Sequence, residues 1–354
     1  MILKKPRSER PRHALKGFRG PVLVTGATGF VGANLCHHLT GKGVSVIGLE
    51  GPSVQRWRLK GSPIELVQVD LCDAAAVRTF VRKSQPAAVF HCAAYGAYSS
   101  QMDADRIYDV TVGGTRHLLE ALREVEDLIA FVQAGSSSEY GANCAAPRED
   151  DPTWPDSHYA VAKVAATALV RFYAVKYGMP AWVCRLYSVY GPLEDASRLI
   201  PKLLIEAQQG RLPPLVNPKI SRDFVYVADV CDAFERFLTA SSRLRKGELF
   251  NIGTGECVTL RKLVATSRRA FRTKETPNWG SMPDRHWDHA RWYANPQKAW
   301  RLLGWLPRTS LQEGLEETMR WMNENPELVR EAKLNSVTAP PVPLPPARGR
   351  GRDP

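Results

Sequence analysis

The stretch Val22-Leu23-Val24-Thr25-Gly26-Ala27-Thr28-Gly29-Phe30-Val31-Gly32 constrains this 354-residue chain more than any other. An apolar run stops at Gly26, two more glycines follow at intervals of three, and an amphipathic stretch with Leu35 and Leu39 begins. That order predicts a strand, a tight turn and a helix N-terminus. Such a turn presents backbone N–H groups and the positive end of the helix dipole, which suits a pyrophosphate. Gly26 permits the turn, and Gly29 lets a phosphate approach the backbone beside Thr28, Phe30 and Val31. Gly32 lets helix and strand pack closely.

Apolar runs bounded by turn signals recur at 22–25, 44–49, 64–69, 87–92, 128–134 and 181–187, with helical patterns at 31–41, 73–83, 105–125 and 158–177. This alternation predicts an α/β fold, a Rossmann-type doubly wound parallel sheet with its ligand at the carboxyl ends of the strands. Beyond Gly191-Pro192 the pattern loosens, and 223–227 and 249–252 read as returns to the sheet. The expected organisation is a flexible basic arm at 1–19 and a dinucleotide-binding domain at 20–186 with returns near 221–257. A smaller C-terminal substrate-binding lobe at 187–325 and a disordered Pro/Arg-rich tail at 326–354 complete it.

The net charge of +12 raises the question of nucleic acid. Residues 1–20 carry seven Lys/Arg against Glu9, and 336–354 carry three Arg against Asp353, so the arms hold most of the excess. The body retains a modest positive balance that fits anionic small molecules. No apolar run is long enough to span a bilayer. Seven cysteines show no C-x-x-C spacing, and most of them sit in apolar stretches and read as core residues in a reducing, cytoplasmic compartment. The histidines show no metal-ligand spacing, so no metal site is expected.

The second apolar run ends at Glu50, 24 positions after Gly26, where an acid binds ribose hydroxyls and repels a 2′-phosphate. NAD is favoured, and the nearby Arg56 and Arg58 keep NADP open. A solvated loop acid is the competing reading of Glu50. Asp70-Leu71 closes the third run, where Asp70 either reaches an adenine amino group or forms a plain turn.

Tyr159 and Lys163 are four apart in a helical stretch and share one face. An ammonium close to a phenol favours the phenolate, which makes the tyrosine an acid–base group near neutral pH. A surface pair at helical spacing is the alternative.

Together with Thr25-Gly26-x-x-Gly29-x-x-Gly32, His91-Cys92-Ala93-Ala94, Gly135-Ser136-Ser137-Ser138-Glu139-Tyr140-Gly141 and Tyr190-Gly191-Pro192, this pair resembles the extended short-chain dehydrogenase/reductase family. The branch resembled is the NAD-dependent epimerase/dehydratases that act on nucleotide sugars. Arg222-Asp223-Phe224, Phe250-Asn251-Ile252-Gly253 and Leu303-Gly304-Trp305 extend the match, which covers 20–325. The resemblance implies that Tyr159 moves a proton at a sugar hydroxyl, Lys163 binds the nicotinamide ribose, and Ser136 hydrogen-bonds the same sugar oxygen. Ala93 and Ala94 line the cofactor cleft, while Ser137, Ser188, Arg222 and Arg285 contact the nucleotide sugar. A surface ion pair with Asp223 is the competing reading of Arg222, and a loop arginine that of Arg285. Two departures stand out: Thr111 replaces the family's Asn before Val112-Gly113-Gly114-Thr115, and Ser188 stands where Asn is common.

Residues 137 and 138 discriminate the reaction. In the family's 4,6-dehydratases a carboxylate follows the catalytic Ser/Thr by one or two positions, but here Ser137 and Ser138 occupy them. Glu139, on a strand-like segment, is expected to face the other way. The resemblance then favours epimerisation at C4 through a transient 4-keto sugar, with an NAD(P)H-dependent 4-keto-6-deoxy-sugar reductase as the alternative. A 4,6-dehydratase and a non-catalytic cofactor-binding regulator rank below these. The aromatic segment 284–293 is read either as a lid, with Trp287 or Trp292 near the base, or as packed lobe surface. The helices at 105–125 and 158–177 resemble those of the family's four-helix-bundle homodimer.

Overall fold

The computed structural model describes residues 18–52, 54–98, 100–282 and 290–337. Its first half follows the apolar runs. Strand β1 (Val22–Thr25) leads into α1 (Phe30–Thr40), then β2 (Val46–Glu50), β3 (Glu65–Gln68), α2 (Ala74–Ser84) and β4 (Ala88–His91). Next come α3 (Ala104–Tyr108), α4 (Gly114–Leu122), β5 (Ala130–Ser136), α5 (His158–Lys176) and β6 (Ala181–Leu186). The second half adds β7 (Ser188–Tyr190), α6 (Leu199–Ala207), β8 (Ser221–Arg222), β9 (Phe224–Tyr226) and α7 (Val227–Ala240). After these follow β10 (Leu249–Ile252), β11 (Val258–Thr259), α8 (Leu260–Phe271), α9 (Leu311–Glu324) and α10 (Pro326–Val337).

Seven parallel strands form one sheet in the order β10-β6-β5-β4-β1-β2-β3. The winding reverses between β1 and β4, so a crevice opens at their carboxyl ends. Side chains alternate across the sheet with the strand period of two. Val22, Val24, Phe90 and Val132 share a core with Leu35 of α1 and Phe234 of α7. Leu23, Val89, Phe131 and Val183 share the opposite core with Val77 of α2, Leu118 of α4 and Val170 of α5. A further core joins Leu203 of α6, Leu263 of α8 and Leu315 of α9.

Three expectations need correction. The helix expected over 105–125 is α3 and α4 joined by a wider π turn at Asp109–Gly113. Of the two expected returns, only β10 joins the main sheet, beside β6. β9 pairs in parallel with β7 in a separate two-stranded ribbon, because β10 already holds the edge it would need. The tail expected to be disordered from 326 begins as α10, which opens on Pro326 at the position proline favours. Val329 and Ala332 bury one face of it, and Ser336 Oγ donates to Asp195 Oδ1 at 2.7 Å. Residues 1–17 and 338–354 lie outside the described residues.

Two substitutions test this packing. A Cβ at Gly32 would sit 2.2 Å from the Gly26 carbonyl oxygen. Gly32→Ala is therefore expected to lower stability by about 2 kcal/mol in urea unfolding, and an unchanged midpoint would remove the packing argument. Val329→Asp puts a carboxylate under α10 and is expected to cost about 1–3 kcal/mol by the same measurement.

Candidate active site

The crevice begins at the β1–α1 turn. Gly26 has φ +63°, and a Cβ there would lie 2.8 Å from the Ala93 backbone. Glycine is thus required twice, by the dihedral and by the approach of β4. Gly29 starts α1 with no side-chain cap, and no acid occupies the first turn. The N–H groups around Phe30, Val31 and Gly32 form an open anion site. Thr28 is buried, and its carbonyl accepts from Arg58 Nη1 at 3.2 Å.

A polar chain fixes the floor beneath this turn. The Ala93 N–H donates to Thr25 Oγ1 (3.2 Å), and Thr25 donates to His91 Nδ1 (2.7 Å). His91 Nε2 then donates to Thr115 Oγ1 (3.0 Å), whose hydroxyl donates to the Thr111 carbonyl (2.5 Å). The hydrogen-bond directions assign the Nε2–H tautomer, and burial pushes the ring down to about 3, so it is neutral. Thr111, in the family's Asn position, sits in the π turn with its hydroxyl on the Tyr95 backbone. Ala93 and Ala94 follow β4 and stand partly exposed beside the crevice.

Glu50 ends β2 and is 1% exposed, so it is not a solvated loop acid. Arg56 Nε reaches its two oxygens at 2.8 and 3.0 Å, and Arg56 Nη2 also donates to Oε1. Asp70 is exposed and accepts the Cys72 N–H at 2.9 Å, a turn arrangement, while Leu71 is buried. An uncapped helix N-terminus, a glycine turn tight against the chain leaving β4 and a buried acid at the end of β2 fit a dinucleotide.

Ser136, Tyr159 and Lys163, the trio expected from the sequence, assemble at the far end of the crevice. Ser157 caps α5 by accepting the Ala160 N–H at 3.2 Å, which sets Tyr159 in the first turn and Lys163 one turn later. Ser136 ends β5 and hydrogen-bonds Tyr159. Burial pushes the Tyr159 phenol up to about 12, against the downward pull of the Ser136 bond. Lys163 Nζ donates to the Ala134 carbonyl at 2.8 Å and stands 5.8 Å from the Tyr159 ring centroid; burial pushes it down to about 8. The phenol is thus set by loss of water, and not by the ammonium as the sequence suggested.

Glu139 does face away from the crevice, but strand alternation is not the reason. Residues 137–140 form a 3-10 turn, and a capping box folds the Glu139 carboxylate back onto the Ser136 N–H. Next to this turn a cavity of about 740 Å³ is lined by Ser138, Ser188, Arg222 and Trp292. Ser137 is buried beside it and accepts from Trp292 Nε1 at 3.1 Å. The Arg222 guanidinium lies 4.7 Å from the Trp292 ring centroid. Asp223 is buried and accepts from Thr254, Gly255 and Ala294, so Arg222 stands in the cavity wall rather than in a surface pair with it. Arg285 and Trp287 lie outside the described residues, and Trp292 is buried wall.

Sequence reasoning missed several wall residues: Tyr98, Glu194, Arg198, Lys202 and, from α10, Ser336. Arg198 and Lys202, four apart just after Tyr190-Gly191-Pro192, carried a usable signal. His38 of α1 approaches Asp232 and Glu235 of α7 with ligand atoms within 4.8 Å of one another. Lys42 also pairs with Glu235, so the group reads as an ion-pair seam between these helices.

Residues 22–253 match the model of the NAD dependent epimerase/dehydratase family. UDP-glucuronate 4-epimerase 4 of Arabidopsis thaliana is 32% identical, over 85% of this chain and 74% of that protein. The dTDP-glucose 4,6-dehydratase of Streptomyces griseus is 29% identical, over 86% of this chain and 94% of that protein. Among solved structures, an epimerase from Methanothermobacter thermautotrophicus superposes with a TM-score of 0.81 at 27% identity, covering 91% of this chain and 99% of its own. The uncapped glycine turn, the Ser136–Tyr159–Lys163 trio and these matches agree, and the chain belongs to the NAD-dependent epimerase/dehydratase family, with NAD as its cofactor.

Proposed function

We propose that this enzyme is a nucleotide-sugar 4-epimerase. The observation that carries the reading is the set of side chains around Tyr159. Ser136 and Lys163 are present, residues 137 and 138 are serines, and the carboxylate at 139 is buried on Arg185. Elimination of water across C5–C6 needs an acid or base beside the catalytic serine, and none of these three positions supplies one. Epimerisation needs only the trio. The relatives include a UDP-glucuronate 4-epimerase, which is in keeping with this chemistry.

In this reading Arg222 holds the diphosphate from the cavity wall, where a guanidinium suits bidentate phosphate binding, and Ser188 contacts the sugar. Arg285 is proposed as a second phosphate ligand. Ser136 hydrogen-bonds the sugar 4-hydroxyl, and Tyr159 takes its proton and returns it after the 4-keto sugar has turned over. Bound NAD supplies the hydride acceptor and donor at C4. Lys163 anchors the nicotinamide ribose, Glu50 its adenosine ribose, and Asp70 and Leu71 flank the adenine. The buried acid at 50 supports NAD over NADP.

We also propose a homodimer through α4 and α5. Val161, Phe172 and Val175 on α5 are 40%, 50% and 75% exposed, an apolar stripe at helical spacing that a partner's α5 would cover. Seven free cysteines suit a reducing compartment, and we place the enzyme in the cytoplasm.

Two experiments test these readings. Incubated with UDP-, GDP-, CDP- and dTDP-sugars and no added reductant, the holoenzyme should interconvert C4 isomers. Tyr159→Phe should lower kcat by at least about 100-fold and leave the NAD dissociation constant within threefold. Stoichiometric consumption of NAD(P)H on a 4-keto sugar would replace epimerase by reductase. Sedimentation should give a dimer for the parent chain and a monomer for Phe172→Glu; a monomeric parent refutes the interface.

A further inference from the structure

Glu139 takes no part in the chemistry above, yet few carboxylates in the described residues are so enclosed. It is fully buried. Its Oε1 accepts the Ser136 N–H at 2.9 Å. Its Oε2 accepts Thr167 Oγ1 of α5 at 3.0 Å and Arg185 Nε of β6 at 2.9 Å. A Cβ at Gly135 would come 2.9 Å from Glu139 Oε1, so the strand end carries a glycine where the carboxylate presses in. Thr167 follows Lys163 by four residues and Tyr159 by eight, on the same face of α5. One side chain therefore joins the strand end bearing Ser136 to the helix bearing Tyr159 and Lys163.

We propose that Glu139 is a positioning residue for the reaction, a buried anion that ties the Ser136 turn to α5 and stands behind the Tyr159–Lys163 pair. The proposal concerns the trio itself and holds for epimerase or reductase alike.

The surrounding charges give it a sign. Arg185 faces Glu139 from β6, with its guanidinium also 4.5 Å from the Tyr140 ring centroid and Nη1 on the Glu149 carbonyl. The Glu149 carboxyl lies beyond Arg185 and accepts the Asn251 N–H. Tyr140 donates to Asn251 Oδ1 and is pushed up to about 12 by burial, so it is neutral. From α5, Thr167, Lys163 and Tyr159 face the carboxylate. Around Lys163, burial holds the His91 ring and the Cys92 thiol uncharged. Burial lowers Lys163, and the Glu139 carboxylate is the main influence raising it. Glu139 also raises Tyr159. Removing the anion should therefore let both groups lose their protons at lower pH.

The test uses full-length, NAD-loaded protein, and its titration needs no substrate. Lysine labelled with 13C at Cε is titrated by NMR, with the Lys163 resonance assigned by its loss in Lys163→Met. In Glu139→Gln the Lys163 midpoint should fall by about half a pH unit or more, roughly a threefold change in its protonation ratio. Thr167→Val, which cuts the tie and keeps the charge, should leave that midpoint in place while lowering kcat more than it changes KM. Glu139→Gln leaves Arg185 unpaired and can fail to fold. Glu139→Gln combined with Arg185→Met leaves no unpaired guanidinium and should show a fall in the same direction. A Lys163 midpoint equal to the parent's in a folded, NAD-binding variant overturns the proposal, whatever the substrate proves to be.

Discussion

Everything in the crevice depends on three backbones meeting without side chains between them. The β1–α1 turn lies against the start of the loop after β4, and α1 lies against the turn. Gly26 touches Ala93, and Gly32 touches Gly26. Because α1 cannot back away, its first N–H groups point into the crevice instead of packing on a cap. The Ala93–Thr25–His91–Thr115–Thr111 chain extends the same constraint sideways, from β1 through β4 to the π turn before α4. A neutral imidazole suits that place, since it donates on one side and accepts on the other without a buried charge.

The second half of the site rests on a different balance. Ser136, Tyr159 and Lys163 come from two elements, and burial works against ionising the phenol and against keeping the ammonium. A site of this kind draws its acid–base behaviour from desolvation set against a few fixed partners. Here the partners are the Ser136 hydroxyl, the Ala134 carbonyl and the Glu139 carboxylate, all on or just after β5. Strand β5 and the turn after it thus carry both Ser136 and the groups that set its neighbours.

Much of this was legible in the sequence, because it was written at short range. The glycine spacing, the apolar runs and the i, i+4 pair each specify one local element, and each local element formed. What stayed hidden depended on competition between distant segments. Phe224–Tyr226 looks like a sheet strand by itself, and it is displaced only because Leu249–Ile252 takes the edge beside β6. The orientation of Glu139 was anticipated for the wrong reason, since alternation was assumed where a capping box decides. The Trp292–Ser137 hydrogen bond joins residues 155 apart, and no spacing rule reaches that far. The ordered start of the tail was concealed by the proline-rich composition that follows it.

α10 has a consequence for the order of assembly. The strands around the dinucleotide crevice, β1 to β6, are complete once residue 186 has been made. The adjoining cavity draws one wall from Tyr98 and another from Ser336, near the end of the described chain. During synthesis from the N-terminus, the first six strands precede the final wall by some 150 residues, with β10 added to the sheet edge between them. That cavity is therefore the last part of the crevice to close, and a chain ending before α10 would lack one of its walls.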